Sequence, residues 1–304
     1  MLKLVTIVGP TAVGKTATAI QVAEKVGGEI ISCDSMQVYR GMDIGTAKAS
    51  IEEQQKIPHH LIDILSPDED FSVADYQAMA KEKIQDITSR GKIPILVGGT
   101  GLYYQAVVDN YYFFPMESRQ QARRHLENMC ADHGLAYLYQ ILSAVDQEYA
   151  IKIGPNDKKR IIRALEVYHL TGIPFSQFQI KNPHTYKLLP IGLTMPRDLL
   201  YQRIEQRVDQ MLAEGLVEEV YRLSQAGYNL DLNAMNALGY KQVYYYLQGW
   251  ATWEEMVDEI KLETRRFAKR QCTWFRKDKR IHWFDVDKTG SELVEKISAL
   301  IEGL

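Results

Sequence analysis

The chain has 304 residues, enough for one large domain or two with a sizeable core. Its apolar fraction of 46% is ordinary for a soluble globular protein, and no apolar stretch approaches the length of a membrane span. The net charge of −3 argues at first against a nucleic-acid partner, although the local distribution of charge matters more than the sum.

Cysteine usage and the start of the chain bear on the cellular compartment. Cys33, Cys130 and Cys272 are widely spaced and form no C-x-x-C pair, so we predict neither a zinc module nor a disulfide framework. A strand pattern begins almost at the first residue, so we expect no signal or transit peptide. Both observations favour a reducing cytoplasm.

The first predicted element is an apolar strand at residues 3–8, followed by GPTAVGKT and a helix-like run at residues 17–26. The eight residues match the pattern G-x-x-x-x-G-K-[ST] of phosphate loops, which ATP-binding and other nucleotide-binding proteins share. Such a turn directs backbone N–H groups and the positive end of a helix dipole into one concavity. We expect Lys15 to reach terminal phosphates and the Thr16 hydroxyl to bind Mg²⁺. The predicted phosphate-binding residues are Gly9, Pro10, Thr11, Ala12, Val13, Gly14, Lys15 and Thr16.

Alternating strand and helix patterns continue to about residue 101. Residues 29–34 are predicted as a buried strand, residues 75–91 as an amphipathic helix, and residues 92–101 as a strand that runs into a glycine turn. This alternation of strand and helix patterns predicts an α/β fold with a P-loop NTPase-like parallel sheet and helices on both faces. Ligands of such sheets lie beyond the carboxyl ends of the strands, so the phosphate loop, Asp34 and the glycine turn should converge.

The middle of the chain has a different pattern. From about residue 115 to residue 184 no strand pattern is evident, and two helical segments rich in Arg and Lys occur. We predict a helical insert over residues 115–185, within a catalytic core made of residues 1–114 and 186–304.

The remaining elements return to the sheet pattern. Residues 188–195 are predicted as a core strand, residues 198–226 and 252–275 as long helices, and residues 283–287 as a final strand. Thr252 and Glu255 have the spacing of a capping box. Ile260, Phe267 and Trp274 recur every seven residues and are expected to face the core.

Asp34 is the first candidate catalytic residue. It ends a predicted strand beside the phosphate loop, where a carboxylate can accept a proton as a general base. A role near Mg²⁺, or as a helix N-cap, is an open alternative.

Thr100, in the turn GGTG at residues 98–101, is the second candidate. The glycines allow backbone to approach a ligand closely, and the Thr100 hydroxyl can contact a phosphate or a bridging oxygen. A simple N-cap role for Thr100 is equally compatible with the sequence.

Arg203 and Arg207 lie four residues apart, hence on one helix face, and one or both can clamp pyrophosphate. Glu205 and Asp209 make a solvated ion-pair face the alternative for either arginine.

Three basic segments form a candidate nucleic-acid surface, in which cations neutralise phosphates and aromatic rings stack on bases. They contain Arg119, Arg123 and Arg124; Lys158, Lys159, Arg160 and Arg163; and the eight basic residues between Glu263 and Arg280. A solvated helix face is the alternative for each segment alone. His59 and His60, with Asp63 nearby, are candidate metal ligands. Adjacent histidines rarely bind one ion, and no third ligand has suitable spacing, so we predict a structural loop there and no metal site.

Taken together, these motifs resemble those of the tRNA dimethylallyltransferase family over nearly the whole chain. The resemblance rests on GPTAVGKT at residue 9, DSMQVYRGMDIGTAK at 34, PHHLID at 58, ILVGGTGLY at 95, NDKKRIIRALEVYHLTGIP at 156, RIEQRVDQMLAEGLVEEV at 203, ALGYKQ at 237 and RRFAKRQCTWFR at 265. A phosphate loop alone is common, whereas this ordered set is highly specific.

The resemblance implies a P-loop core with an insert that grips the anticodon stem-loop. It implies transfer of dimethylallyl from dimethylallyl diphosphate to the N6 amine of the adenosine 3′ of the anticodon, with Mg²⁺ assisting. It further implies Asp34 as base, Thr100 near the reacting centre, and Lys15 with Arg203 or Arg207 on departing pyrophosphate. The tRNA contacts implied are Asp34, Ser35, Met36, Gln37, Thr100, Arg123, Lys159, Arg160, Ile161, Ile162, Arg163 and, less directly, residues 236–241.

Two departures from the family pattern are visible. Lys158 and Lys159 stand where many members have a Pro-Gln pair, and the zinc finger of eukaryotic members has no Cys/His counterpart here. We therefore expect the insert and the basic tail to grip the RNA, and we expect a cytoplasmic monomer.

Three other functions compete with this interpretation. A P-loop kinase would use ATP, with Asp34 as base and Arg160 and Arg163 as lid arginines. A prenyltransferase acting on free AMP or ADP would not need a basic insert. A non-catalytic RNA-binding module would tolerate Asp34→Asn and Lys15→Ala.

Overall fold

The computed structural model describes residues 1–113, 119–178 and 185–304. Two sequence predictions concern residues outside this described part. They are the boundary of the insert between residues 114 and 115 and the RNA contact of the Arg119 side chain. Contacts divide the chain into two units, Met1–Val108 with His184–Leu304, and Asp109–Pro183. We call these the core unit and the insert unit.

A six-stranded sheet in the order β3-β2-β4-β1-β5-β6 forms the centre of the core unit. All of its neighbouring strands run parallel, so the predicted α/β fold with a parallel sheet is confirmed. The central strand β1 pairs with β4 through Val5 and Ile95, and with β5 through Val5 and Leu189. The strands are β1 Leu2–Val8, β2 Gly28–Ser32, β3 His59–His60, β4 Ile93–Gly98, β5 Tyr186–Thr194 and β6 His282–Asp285.

Fourteen α-helices lie in the described part of the chain. Those of the core unit are α1 Lys15–Val26, α2 Ile51–Lys56, α3 Val73–Ser89, α4 Gly101–Val108, α9 Arg197–Ala213, α10 Leu216–Gln225, α11 Tyr240–Leu247, α12 Trp253–Phe275, α13 Val286–Thr289 and α14 Leu293–Glu302. Those of the insert unit are α5 Arg119–His133, α6 Leu135–Val145, α7 Gln147–Ile153 and α8 Lys158–Thr171.

Helices cover both faces of the sheet because alternate residues of β1 point to opposite sides. Val5 and Ile7 belong to an apolar cluster with α1, α9 and α14. Leu4 and Val8 belong to a second cluster with α3 and α4. A parallel sheet buried on both faces in this way needs near-continuous apolar strands, which is the pattern that predicted β1, β2, β4 and β5.

A third apolar cluster lies beside the sheet and joins α10, α11 and α12 to the segment that follows β2. Its buried members include Val38, Met42, Leu216, Tyr240 and Ile260. This cluster fixes residues 36–44 of the core unit against three helices that come about 200 residues later in the chain.

The structure corrects two predictions about the late helices. The helix expected over residues 198–226 is two helices, because Gly215 adopts a left-handed conformation with φ of 101° between α9 and α10. On α12 the buried face is Met256, Ile260, Thr264, Ala268, Gln271 and Phe275. Trp274 is half-buried and packs against the second apolar cluster as predicted, whereas Phe267 is half-buried and belongs to none of the apolar clusters of the described residues. The predicted capping box of Thr252 and Glu255 is present.

The insert unit has an apolar core of its own. Leu138 and Leu142 of α6 pack with Ile161 and Leu165 of α8, and all four are buried. None of the helices in the described part of the chain combines the length and the apolar character that crossing a bilayer requires.

Candidate active site

The phosphate loop begins where β1 ends and leads directly into α1. Gly9 has φ of 149°, and a Cβ there would lie 2.5 Å from the carbonyl oxygen of Leu193, so a larger residue does not fit. Gly14, at the N-cap of α1, has φ of 100°, a conformation that favours glycine. The two glycines of the motif are therefore required by backbone geometry, and the helix N-terminus that follows them supplies the potential that anions favour.

Gln271 of α12 ties this loop to the glycine turn after β4. Its Oε1 accepts a hydrogen bond of 2.8 Å from the backbone N–H of Thr11, and its Nε2 donates one of 3.0 Å to the carbonyl oxygen of Gly99. A Cβ on Gly99 would lie 2.1 Å from this Nε2. Gln271 was not among the predicted site residues, because it lies in a basic segment that has the pattern of a solvated helix. The one feature of the sequence that could have identified it is its position as a polar residue on the apolar face of α12.

Asp34 and Thr100 lie side by side at the carboxyl edge of the sheet. The backbone N–H of Thr100 donates to the carbonyl oxygen of Cys33 at 3.1 Å, and the N–H of Ser35 donates to the Thr100 hydroxyl at 3.1 Å. Oδ1 of Asp34 accepts from the N–H of Met36 at 2.9 Å. Oδ2 takes no hydrogen bond from the residues that the structure describes, which leaves one carboxylate oxygen of Asp34 available to a substrate proton.

Lys15 and Arg207 bring positive charge to the same place. Nζ of Lys15 donates to the carbonyl oxygen of Pro10 at 2.8 Å, so the side chain folds over its own loop. Burial and the neighbouring charge of Arg207 lower the pKa of Lys15 to about 8, while the charge of Asp34 opposes this shift. Burial also lowers the pKa of Arg207, against the charges of Asp34 and Glu214. Lys15 and Arg207 lie close together, and Asp34 is the carboxylate whose charge acts on both, so the site favours binding of a polyanion.

The structure separates the two arginines that the sequence left equivalent. Arg207 is half-buried and close enough to Lys15 and Asp34 to perturb their electrostatics. Arg203 is exposed and lines a separate surface depression. The other residues of that depression are Met195, Leu199, Gln202, Gln206 and Asp287. Arg207 is therefore the arginine that the fold places with the phosphate loop.

Binding of pyrophosphate is expected to weaken as the pH rises through about 8. The ammonium form of Lys15 is the one that attracts phosphate, and it loses its proton around that pH, because burial and Arg207 disfavour the charge. Each further pH unit should weaken binding by up to about tenfold. Calorimetric titration of pyrophosphate between about pH 7 and pH 9.5 measures this, and Lys15→Met is the control for the titration of pyrophosphate itself. An equal pH dependence in Lys15→Met would contradict the assignment.

The first turn of α1 offers one side-chain oxygen donor that could help to hold Mg²⁺. Among the described residues no group of three or more His, Cys, Asp or Glu side chains is arranged to hold a metal ion. Mg²⁺ commonly takes one or two protein oxygens, with waters and substrate phosphates completing its shell. The hydroxyl of Thr16, in the first turn of α1, is an oxygen donor of that kind.

The histidine pair has a structural role. His59 and His60 form the short strand β3, with Nδ1 of His59 at 2.7 Å from the carbonyl oxygen of Ile57. Nε2 of His60 lies 2.7 Å from a carboxylate oxygen of Glu29. Both side chains thus contact other parts of the protein, in a short strand where a structural loop was predicted.

Three neighbours of Asp34 were predicted to contact RNA, and they differ in what they offer. Ser35 and Met36 are half-buried beside Asp34. Gln37 has its amide engaged within the protein: Oε1 accepts from the Ser32 hydroxyl at 2.8 Å, and Nε2 donates to the carbonyl oxygens of Thr46 and Ala47 at 3.2 and 3.3 Å. The side chain of Gln37 therefore fixes the loop from inside.

The candidate RNA-binding residues of α8 also fall into two groups. Lys158, Lys159 and Arg160 are exposed, whereas Ile161 and Ile162 are buried in the core of the insert unit. The side chains of both isoleucines are thus packed inside the insert unit. An RNA contact at Ile161 or Ile162 by side chain is not compatible with this burial.

Arg163 and Arg123, half-buried, share one carboxylate in the insert unit. Arg163 forms an ion pair with Glu166, which is fully buried, and Nη1 of Arg123 lies 4.0 Å from the other carboxylate oxygen of Glu166. The arginine of α5 and the arginine of α8 are thereby held next to each other.

Comparison with known proteins finds a matching family model and relatives that align over nearly the whole chain. The model of a family described as IPP transferase matches residues 37–278. A relative from Syntrophomonas wolfei named tRNA dimethylallyltransferase is 56% identical over 305 residues, covering 100% of this chain and 98% of the relative. A relative of the same name from Carboxydothermus hydrogenoformans is 53% identical over 302 residues, covering 98% and 96%.

Two solved structures are also similar. The full-length tRNA isopentenylpyrophosphate transferase from Bacillus halodurans matches with a TM-score of 0.76 at 47% identity, covering 100% of this chain and 96% of that one. A eukaryotic dimethylallyltransferase described as acting on tRNA matches with a TM-score of 0.83 at 29% identity, covering 99% and 78%.

Proposed function

Because this chain belongs to the IPP transferase family, whose members are tRNA dimethylallyltransferases, we propose that it transfers dimethylallyl from dimethylallyl diphosphate to the N6 amine of the adenosine 3′-adjacent to the anticodon. The observation that carries the proposal is the meeting of two opposite chemistries at one sheet edge. Lys15 and Arg207 offer positive charge at the phosphate loop, and Asp34 beside Thr100 offers a carboxylate oxygen.

In the proposed reaction Asp34 and Thr100 act on the attacking amine. The bond between the allylic carbon and the diphosphate oxygen breaks, the bond between that carbon and N6 forms, and the amine proton passes to Asp34. An exocyclic amine is a poor nucleophile, so a positioned base assists it. The Thr100 hydroxyl accepts a hydrogen bond of 3.1 Å from the N–H of Ser35, the residue after Asp34, and we assign it to the same reacting centre.

Departure of pyrophosphate depends on the other half of the site. An allylic carbon tolerates positive charge, so the main requirement is stabilisation of the leaving anion. Backbone N–H groups of the phosphate loop, Lys15 and Arg207 supply fixed positive charge where the negative charge develops. The Thr16 hydroxyl would help to hold Mg²⁺, which would supply further neutralisation of the charge on the diphosphate.

The RNA substrate is supported by the basic side chains of the insert unit. Lys159 and Arg160 are exposed on α8, and Arg123 and Arg163 are held together by Glu166. Exposed cations of this kind bind the phosphate backbone, whereas the target base must leave its stack to reach a site next to Asp34. We therefore assign the RNA contacts to the polar and basic members of the predicted set that are exposed or half-buried, without the side chains of Ile161 and Ile162.

Two further features support a protein that works as a single chain in the cytoplasm. The phosphate loop, Asp34, Thr100, Arg207 and Gln271 all come from one core unit. Cys33, Cys130 and Cys272 are unpaired, as in proteins of a reducing compartment.

The proposal is tested by following labelled dimethylallyl from its diphosphate into unmodified tRNA with Mg²⁺ present. Parallel reactions contain AMP as the acceptor, or ATP as the donor. We expect label in tRNA, no label in AMP and no phosphoryl transfer from ATP. Prenylation of AMP in preference to tRNA, or phosphoryl transfer from ATP without prenyl transfer, would overturn the proposal and favour one of the competing functions.

A further inference from the structure

A buried carboxylate far from the reacting groups holds part of the active-site loop. Glu219 of α10 is 2% exposed and accepts four hydrogen bonds. Its Oε2 accepts from the backbone N–H groups of Asp43 and Ile44 at 3.0 and 2.9 Å. Its Oε1 accepts from the N–H of Gly45 at 3.2 Å and from the Tyr240 hydroxyl at 2.5 Å. A carboxylate this buried is retained only when its oxygens are fully hydrogen-bonded.

Tyr240 and Gly45 make this arrangement specific. Burial and the nearby charge of Glu219 raise the pKa of Tyr240 well above its usual range, so the phenol stays protonated and donates. A Cβ on Gly45 would lie 2.4 Å from the Tyr240 ring, so the ring and the loop are in direct contact. The loop at residues 43–45, the Glu219 carboxylate and the Tyr240 phenol therefore pack against one another, and a side chain larger than that of glycine does not fit at position 45.

The restrained loop reaches the catalytic segment through Gln37. The carbonyl oxygens of Thr46 and Ala47 accept from Nε2 of Gln37, and its Oε1 accepts from the Ser32 hydroxyl. Gln37 thus links residues 46–47 to the end of β2, on either side of the turn in which Asp34 accepts from the N–H of Met36. A displacement of residues 43–47 removes the support of that turn.

We propose that Glu219 is a positioning residue for Asp34, acting through the backbone of residues 43–47 and the amide of Gln37. The proposal rests on the proposed function, in which Asp34 is the base. Glu219 does not touch the substrate; it keeps the carboxylate of Asp34 at the orientation that receives the amine proton. Positioning of this kind affects the rate of the chemical step, because a small misplacement of a catalytic group is costly.

The test is Glu219→Gln, which keeps the size of the side chain but places an NH2 group against donors. We expect kcat for transfer to tRNA to fall by at least about tenfold, while KM for dimethylallyl diphosphate changes by less than about twofold. The phosphate loop is held by β1, α1 and Gln271, and none of the four hydrogen bonds of Glu219 goes to these elements. Tyr240→Phe removes one donor of the four and should lower kcat by a smaller factor.

Two controls separate positioning from loss of stability. Glu218→Gln removes the neighbouring exposed carboxylate and should leave kcat unchanged. Val220→Ala truncates a buried side chain of the same cluster without touching the loop amides, and should lower Tm while leaving kcat near that of the parent.

If Val220→Ala lowers kcat as much as Glu219→Gln at an equal loss of Tm, the positioning role is overturned. If Glu219→Gln is not folded, Tyr240→Phe decides: an unchanged kcat overturns the proposal, and a reduced kcat at unchanged KM for the diphosphate supports it.

Hydrogen exchange keeps this outcome distinct from that of the proposed function. Amides of residues 43–45 should exchange faster in Glu219→Gln and in Tyr240→Phe than in the parent, and this is measurable without any substrate. A parent protein without prenyl transfer would refute the proposed function whatever the exchange rates are. An active parent with unchanged kcat in folded Glu219→Gln would refute the positioning role alone.

Discussion

Asp34→Asn is expected to lower kcat for prenyl transfer to tRNA by about 10² to 10⁴-fold, because general base catalysis contributes by that order. Asparagine keeps an oxygen at Oδ1, so the hydrogen bond from the N–H of Met36 and the turn it stabilises survive. The amide lacks a basic oxygen for the amine proton. The measurement is single-turnover transfer from labelled dimethylallyl diphosphate, with binding of tRNA measured separately.

Binding is the control for this variant. We expect the affinities for tRNA and for pyrophosphate to change by less than about threefold, since Asn and Asp have nearly the same shape and the phosphate loop is untouched. Single-turnover transfer within about threefold of the parent rate would show that Asp34 is not the base. Loss of tRNA affinity equal to the loss of rate would assign Asp34 to recognition of the base and not to proton transfer.

Arg207→Ala is expected to lower kcat/KM for dimethylallyl diphosphate by about 10² to 10³-fold, the usual cost of removing one donor that stabilises a developing anion. Its guanidinium is half-buried beside Lys15 and Asp34, and in the proposed reaction it would stabilise the charge that develops on departing pyrophosphate. Steady-state kinetics with saturating tRNA measure the effect.

Arg203→Ala is the matched control for this prediction. The two arginines lie one helical turn apart on α9, but Arg203 is exposed beside Asp287 in a separate depression. We expect its kcat/KM to stay within about threefold of the parent, as for an exposed charge whose interactions are screened. Equal losses in both variants would show that the whole face of α9, and not Arg207 alone, holds pyrophosphate.

The local patterns of the sequence predicted those parts of the fold that depend on local physics. Apolar runs such as residues 3–8 and 92–98 became β1 and β4, because a parallel sheet buried on both faces needs strands of that composition. The spacing of Gly9, Gly14 and Lys15 predicted the phosphate loop, and the backbone of the turn requires the two glycines. The break at Gly215 was missed, since a single glycine within a helical period is often tolerated.

The contacts between distant segments were less accessible to sequence. Nothing in the local pattern distinguishes Arg203 from Arg207, since residues four apart share a helix face and only the packing of α9 decides which one is enclosed. Gln271 and Glu219 resemble ordinary solvated side chains of amphipathic helices. Their roles follow from backbone groups 172 and 174 to 176 residues away in the chain, at Gly99 and at residues 43–45.

The tie between Thr11 and Gln271 has a consequence for the biogenesis of the enzyme. Its two ends are 260 residues apart, so the ribosome must add α12 before the tie can form. At about 5 to 20 residues per second, the glycine-rich turn made first waits roughly ten to fifty seconds for its partner. During this interval the nascent chain carries the phosphate motif without the amide that braces it against the strand end at Gly99. The braced loop therefore forms only after Gln271 has been synthesised, and a transcript truncated before the codon for Gln271 yields a chain with the phosphate motif but without this brace.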